Sequence, residues 1–124
     1  MFDSTKNWVS LDRVAIGLST LCAVHCVATV VLLGALSSLG HLFTAPIIHE
    51  VGLVLAIVIG ALALGAGIRR HRLLMPSIAG GIGLLVMATA LFVPHGLGEA
   101  IATIIGVSMV AVAHLLNMRA DCAC

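Results

Sequence analysis

From Val14 to about Leu36 the chain carries no aspartate, glutamate, lysine or arginine. A helix rises about 1.5 Å per residue, so a run of that length covers the ~30 Å hydrocarbon core of a bilayer. Three comparable runs follow, at residues 47–68, 73–93 and 97–118. A chain that is 61% hydrophobic and 9% charged lies far from the soluble norm of about 25% charged residues. Within lipid, backbone groups must be satisfied inside each segment, which four separate runs do as helices. The expected fold is therefore all-α, an integral membrane four-helix bundle in one domain. The first run exceeds the length of a signal-peptide core and is read as a retained span. Residues 1–13 form a polar head, 14–118 the four-span domain and 119–124 a cysteine-containing tail.

Basic residues set the expected orientation. Lys6, Arg13, Arg69, Arg70, Arg72 and Arg119 all fall on one side of a four-span chain. By the positive-inside rule that side is cytoplasmic, with both termini in. The other side receives His41, His49, Glu50, His95 and Glu99; of these His49, Glu50 and His95 are candidates for meeting an incoming cation. The ordinary fate of such residues is solvation at a span end. Trp8 stands where an interfacial aromatic anchor is expected. Asp12 suits the start or N-cap of the first helix.

Cys22-Ala-Val-His25-Cys26 places two thiols and an imidazole inside the first span. On a helix, positions i and i+4 share a face with Cβ atoms about 5–6 Å apart. A disulfide needs Cβ atoms about 3.5–4.5 Å apart, so the pair is held as a dithiol. An ion bound at about 2.3 Å from each sulfur bridges about 4.6 Å, which this spacing supplies. A cysteine alone in an apolar segment is usually a packing residue; the adjacent histidine, costly in lipid, favours a ligand site. On the last span His114 and Asn117 share a side with Gly106 and Val110, and an antiparallel first span would bring His114 toward Ser19 and Cys22. Ser19, Asn117 and Asp12 are accordingly supporting or packing residues. Cys122 and Cys124 follow the last span and are candidate metal receivers. Small residues from Gly60 to Gly67, with Ala61 and Gly65 four apart, and Gly80, Gly81 and Gly83 suit close helix packing or a homodimer contact.

The Asp12-Arg13 start, the Cys22/His25/Cys26 span, the Arg-Arg-His-Arg loop and the His114-Leu-Leu-Asn117 ending followed by cysteines resemble the MerC-type domain of bacterial mercury-resistance membrane proteins. The resemblance covers nearly the whole chain. It implies four spans in the bacterial inner membrane and a carrier that moves Hg(II) through a first-span thiol site toward cytoplasmic cysteines.

These features define the function classes. The leading expectation is a small carrier or channel for a soft metal ion, Hg(II) first and Zn(II) or Cu(I) next, since imidazole also suits zinc, copper and iron. Metal would bind Cys22 and Cys26 with help from His25, pass His114, and reach Cys122, Cys124 and a cytosolic thiol acceptor. The alternative is a membrane protein that binds a metal or haem without transport, with His25 and His114 as facing axial ligands. A third is a structural subunit. No phosphate-binding loop, paired carboxylates or nucleophile–base constellation points to a pump or an enzyme, and a net charge of +1 without a basic stripe gives no reason for a nucleic acid partner.

Overall fold

A computed structural model describes residues 4–35, 46–94 and 96–123. The chain forms four helices: α1 (Ser4–Ala35), α2 (Pro46–His71), α3 (Met75–Ala90) and α4 (Leu97–Ala123). Among the described residues there is no strand. Three helices are long and apolar enough to cross a membrane, through Lys6–Val31, Pro46–His71 and Leu97–Cys122. The expected loop around Ser37 to His41 lies outside the described residues, as do His95 and Cys124.

α1 is 32 residues long and starts well before the apolar run. Two contacts hold its polar beginning in place. The Arg70 guanidinium lies 5.6 Å from the Trp8 ring centroid, a cation–π distance, and Asp12 is fully buried against α4. Asp12 thus sits two turns inside the helix, not at its start. From there Asp12, Ala15, Ser19, Cys26 and Thr29 are buried, each three, four or seven positions from the last, which is the spacing of one helix face. Val14, Leu21, Val24 and Val31 are more than half exposed and form the lipid face. The polar stripe turns inward and the apolar one outward, as an apolar solvent requires.

α2 carries Arg69, Arg70 and His71 in its last turn, where positive charge complements the helix dipole. It stops at Arg72, whose φ of 58° is left-handed and whose N–H reaches the Ile68 carbonyl at 3.0 Å. That is the αL cap usually given to glycine. The third apolar run, 73–93, forms a helix of 16 residues. Pro76 stands in its first turn, a position proline favours. Beyond Ala90 the N–H groups of Phe92 and Val93 bond to Thr89 and Ala90 at 3.1 Å, a tightened turn that leads into Pro94.

α3 and α4 meet through glycines. A Cβ at Gly106 would stand 2.6 Å from Met87 Cγ and 2.8 Å from the Gly83 carbonyl; only glycine on both sides permits this approach. Gly80 packs likewise against Leu64. Of the small residues on α2, the buried ones are Gly60, Ala63 and Gly67, whereas Ala61 is exposed and a Cβ at Gly65 would meet nothing within 4 Å. The helix rotation therefore replaces the expected Ala61/Gly65 contact with one a residue or two away. Leu53, Met87, Val107 and Val110 make a small apolar core, with polar clusters above and below it.

Candidate metal centre

The first polar cluster joins α1 to the opening turns of α2 and α4. His25 and Cys26 on α1 and His49 on α2 each offer a donor atom, and these atoms lie within 4.8 Å of one another. The Cys26 sulfur is 3.8 Å from His49 Nε2, and the two imidazoles face each other at 5.5 Å between centroids, tilted by 52°. Glu99, in the first turn of α4, places Oε1 3.8 Å from His49 Nε2, with side-chain exposures of 8% and 15% respectively. Thr103, one turn further along α4, lines the same space. A cavity of about 540 Å³ opens beside the cluster, lined by Cys22, His25, Cys26, His49, Met87 and Thr103 among others.

Contact with the first turns of α2 and α4 fixes the level of the site. Cys26 lies near the end of the bundle opposite Arg69–Arg72, and not midway through it, because the contact of Asp12 with His114 and Asn117 holds α1 in a register that carries Cys26 to the opening turns of α2 and α4. Cys22, one turn along α1, lines the cavity, and its sulfur would be 3.7 Å from a Cβ at Gly52. The donors gathered around Cys26 are thus imidazoles from two helices, with Cys22 beside them.

The second cluster lies toward the basic end. His114 Nδ1 is 2.6 Å from Asp12 Oδ1, and Asn117 Nδ2 donates to both Asp12 oxygens at 3.2 and 2.9 Å. All three side chains are fully buried. His71 Nδ1 accepts the Leu73 N–H at 3.1 Å, which leaves its Nε2–H to donate to Asn117 Oδ1 at 2.9 Å. That chain of bonds sets the amide orientation of Asn117. Gly67 makes room for it, since a Cβ there would fall 2.9 Å from Asn117 Cγ. Arg70 grips Asp121 through both oxygens, at 2.9 and 2.5 Å, the bidentate geometry guanidinium favours.

Between the clusters, Ser19, Cys22 and His114 line a cavity of about 10 Å³, roughly one water in size. His114 Nε2 is buried and has no hydrogen-bond partner among the described residues. With Nδ1 bonded to the Asp12 carboxylate, Nε2 is the ring nitrogen left for a ligand, and metal-ligating histidines typically bond a carboxylate through their other nitrogen in this way. His25 and His114 belong to opposite ends: Glu99, level with His25, precedes His114 by fifteen residues, or about 22 Å along a helix. Two axial ligands of one haem iron cannot stand so far apart. Glu50 and Cys122 are exposed, in the opening turns of α2 and in the last turns of α4.

Sequence reasoning placed His49 and Glu99 together among outer polar residues, apart from the Cys22/Cys26 site, and gave Thr103 no role. A signal was present in the Glu99-x-x-x-Thr103 spacing, which puts both on one face of α4, but no local pattern joins that face to Cys26.

A bundle with three helices long and apolar enough to cross a membrane, a thiol–imidazole cluster near one end and a carboxylate–imidazole cluster toward the other defines the class as a helical membrane protein. A family model described as MerC mercury resistance protein matches residues 12–119, and the chain belongs to that family of mercury-resistance membrane proteins. A search of curated proteins found no significant match, nor did a search of solved structures.

Proposed function

We propose that this protein is a multi-pass carrier of the bacterial inner membrane that moves a thiophilic metal ion, Hg(II) by its family, toward the cytoplasm without nucleotide. The observation that carries this reading is the convergence of Cys26, His25 and His49 from two helices within 4.8 Å, beside a cavity that also admits Cys22. Ion would be captured by Cys26 with His25 and His49. It would then transfer to Cys22 and pass the small cavity at Ser19 and His114. Cys122 and Cys124 would take it at the far end and yield it to a cytosolic thiol. Each step exchanges one donor for another, so the barrier is split into small ones. In this reading Asp12 and Asn117 hold His114 in its tautomer. Both termini are cytoplasmic, because the N-terminus of α1 and the C-termini of α2 and α4 gather the basic residues at one end.

Uptake of Hg(II) into vesicles holding the purified protein tests the reading. Wild type should accumulate the ion inside the vesicles well above protein-free controls, and a variant with Cys22 and Cys26 changed to serine should not. Equal accumulation by both would remove the carrier role. Reporter fusions at Cys124 and at Gly98 should fall on opposite sides of the membrane.

A further inference from the structure

The donor set around Cys26 differs from a dithiol in chemistry as well as in membership. It holds one sulfur, from Cys26, and two imidazoles, from His25 and His49. A carboxylate adjoins it: Glu99 Oε1 stands 3.8 Å from His49 Nε2, the same separation as that between His49 Nε2 and the Cys26 sulfur. In a tetrahedral zinc site, with bonds of about 2.3 Å to sulfur and about 2.0–2.1 Å to nitrogen or oxygen, sulfur and nitrogen donors stand about 3.6 Å apart and nitrogen and oxygen about 3.4 Å apart. The two separations at His49 exceed these by a few tenths of an ångström; His25, Cys26 and His49 lie within 4.8 Å of one another and Glu99 stands outside that trio, so a bound ion would draw its carboxylate inward by side-chain rotation.

The geometry points to Glu99 as the fourth ligand of a three-helix site, with His25 and Cys26 from α1 and His49 from α2, that also takes a zinc-class divalent cation. This goes beyond the carrier reading by adding a second class of ion at the capture site, and rests on that reading only for the movement of the ion. Charge supports the assignment. A thiolate and a carboxylate together neutralise a divalent ion, whereas a thiolate alone leaves a net positive charge in a site walled by Met87 and Leu53, which is costly in a low-dielectric setting. Donor softness is compatible with it as well, since one sulfur with three nitrogen or oxygen donors suits a borderline ion such as Zn(II), whereas Hg(II) would be held chiefly by the sulfurs of Cys26 and Cys22. Glu99 also binds α4 into the site, so the ion would tie together the three helices that meet there.

The test is equilibrium binding of Zn(II) and of Hg(II) to the full chain in nanodiscs, in competition with a chromophoric chelator, for wild type and Glu99→Gln. X-ray absorption on the Zn(II)-loaded wild type accompanies it. The expected results are one Zn(II) per chain with one sulfur and three lighter scatterers, and a loss of at least tenfold in Zn(II) affinity in Glu99→Gln. Hg(II) affinity should stay within about twofold, which also shows the variant folded. Unchanged Zn(II) affinity in Glu99→Gln, two sulfurs at zinc, or equal loss of both ions would overturn the assignment. Vesicle uptake separates the two readings. Hg(II) uptake without Zn(II) binding refutes the inference and leaves the carrier, whereas Zn(II) binding with this ligand set but without uptake of either ion supports the inference and removes the carrier.

Discussion

Replacing Asp12 by alanine should be among the most damaging single changes away from the metal centre. Asp12 is fully buried and accepts bonds from His114 at 2.6 Å and from Asn117 at 2.9 and 3.2 Å. Its loss strands two buried donors on α4. Interhelical hydrogen bonds in membrane proteins average about 0.6 kcal/mol and reach about 1.7 kcal/mol. Breaking a buried ion pair in soluble proteins costs about 3–5 kcal/mol. The short bond and complete burial argue for the upper membrane value at each of the two donors, hence about 3 kcal/mol. The assay is reversible unfolding by dodecyl sulfate in mixed micelles, followed by circular dichroism. A double-mutant cycle with His114→Ala should show a coupling of at least about 1 kcal/mol, because the second change removes a donor the first has already stranded. A cost below about 0.5 kcal/mol, or additivity within that margin, would refute the claim that this network locks α1 to α4.

Glycine substitutions should separate contact from open space. Gly106→Ala, whose Cβ would meet Met87 Cγ at 2.6 Å and the Gly83 carbonyl at 2.8 Å, should cost about 1–3 kcal/mol in the same titration. Gly65→Ala, with nothing within 4 Å, should be neutral or stabilising by up to about 1 kcal/mol. Changing Cys122 and Cys124 to serine should leave metal affinity at the bilayer site unchanged while slowing transfer to a soluble dithiol, read by stopped-flow absorbance. Equal transfer rates would remove the tail from the path.

What the sequence made legible follows from where the information resides. Four apolar runs are local features and their helices follow from length and hydropathy alone. The Cys22/His25/Cys26 group was legible for the same reason, since spacing on one helix fixes which side chains are neighbours. Its partners were not, because His49 and Glu99 sit in first turns of other helices, where a polar residue is ordinarily solvated. Only the register of α1 against α2 and α4 brings them to Cys26, and that register is held by contacts remote in sequence, such as Asp12 with His114 and Asn117. Asp12 illustrates the same limit. Its chemistry suits a helix start, and the local preference was overridden by burial against His114 and Asn117. The three- and four-residue steps from Asp12 through Ala15, Ser19 and Cys22 to Cys26 were the available sign that it belonged to an inward face.

The most direct measurement of the central claim is the initial rate of Hg(II) uptake into vesicles carrying Cys26→Ser, His49→Ala or Glu50→Gln at matched protein content. Cys26 and His49 stand 3.8 Å apart in the cluster, whereas Glu50 is exposed. Cys26→Ser should abolish uptake, His49→Ala should reduce it about tenfold or more, and Glu50→Gln should keep at least half the wild-type rate. Near-normal uptake by Cys26→Ser and His49→Ala would contradict the account, because the ion would then cross without the site that the bundle assembles.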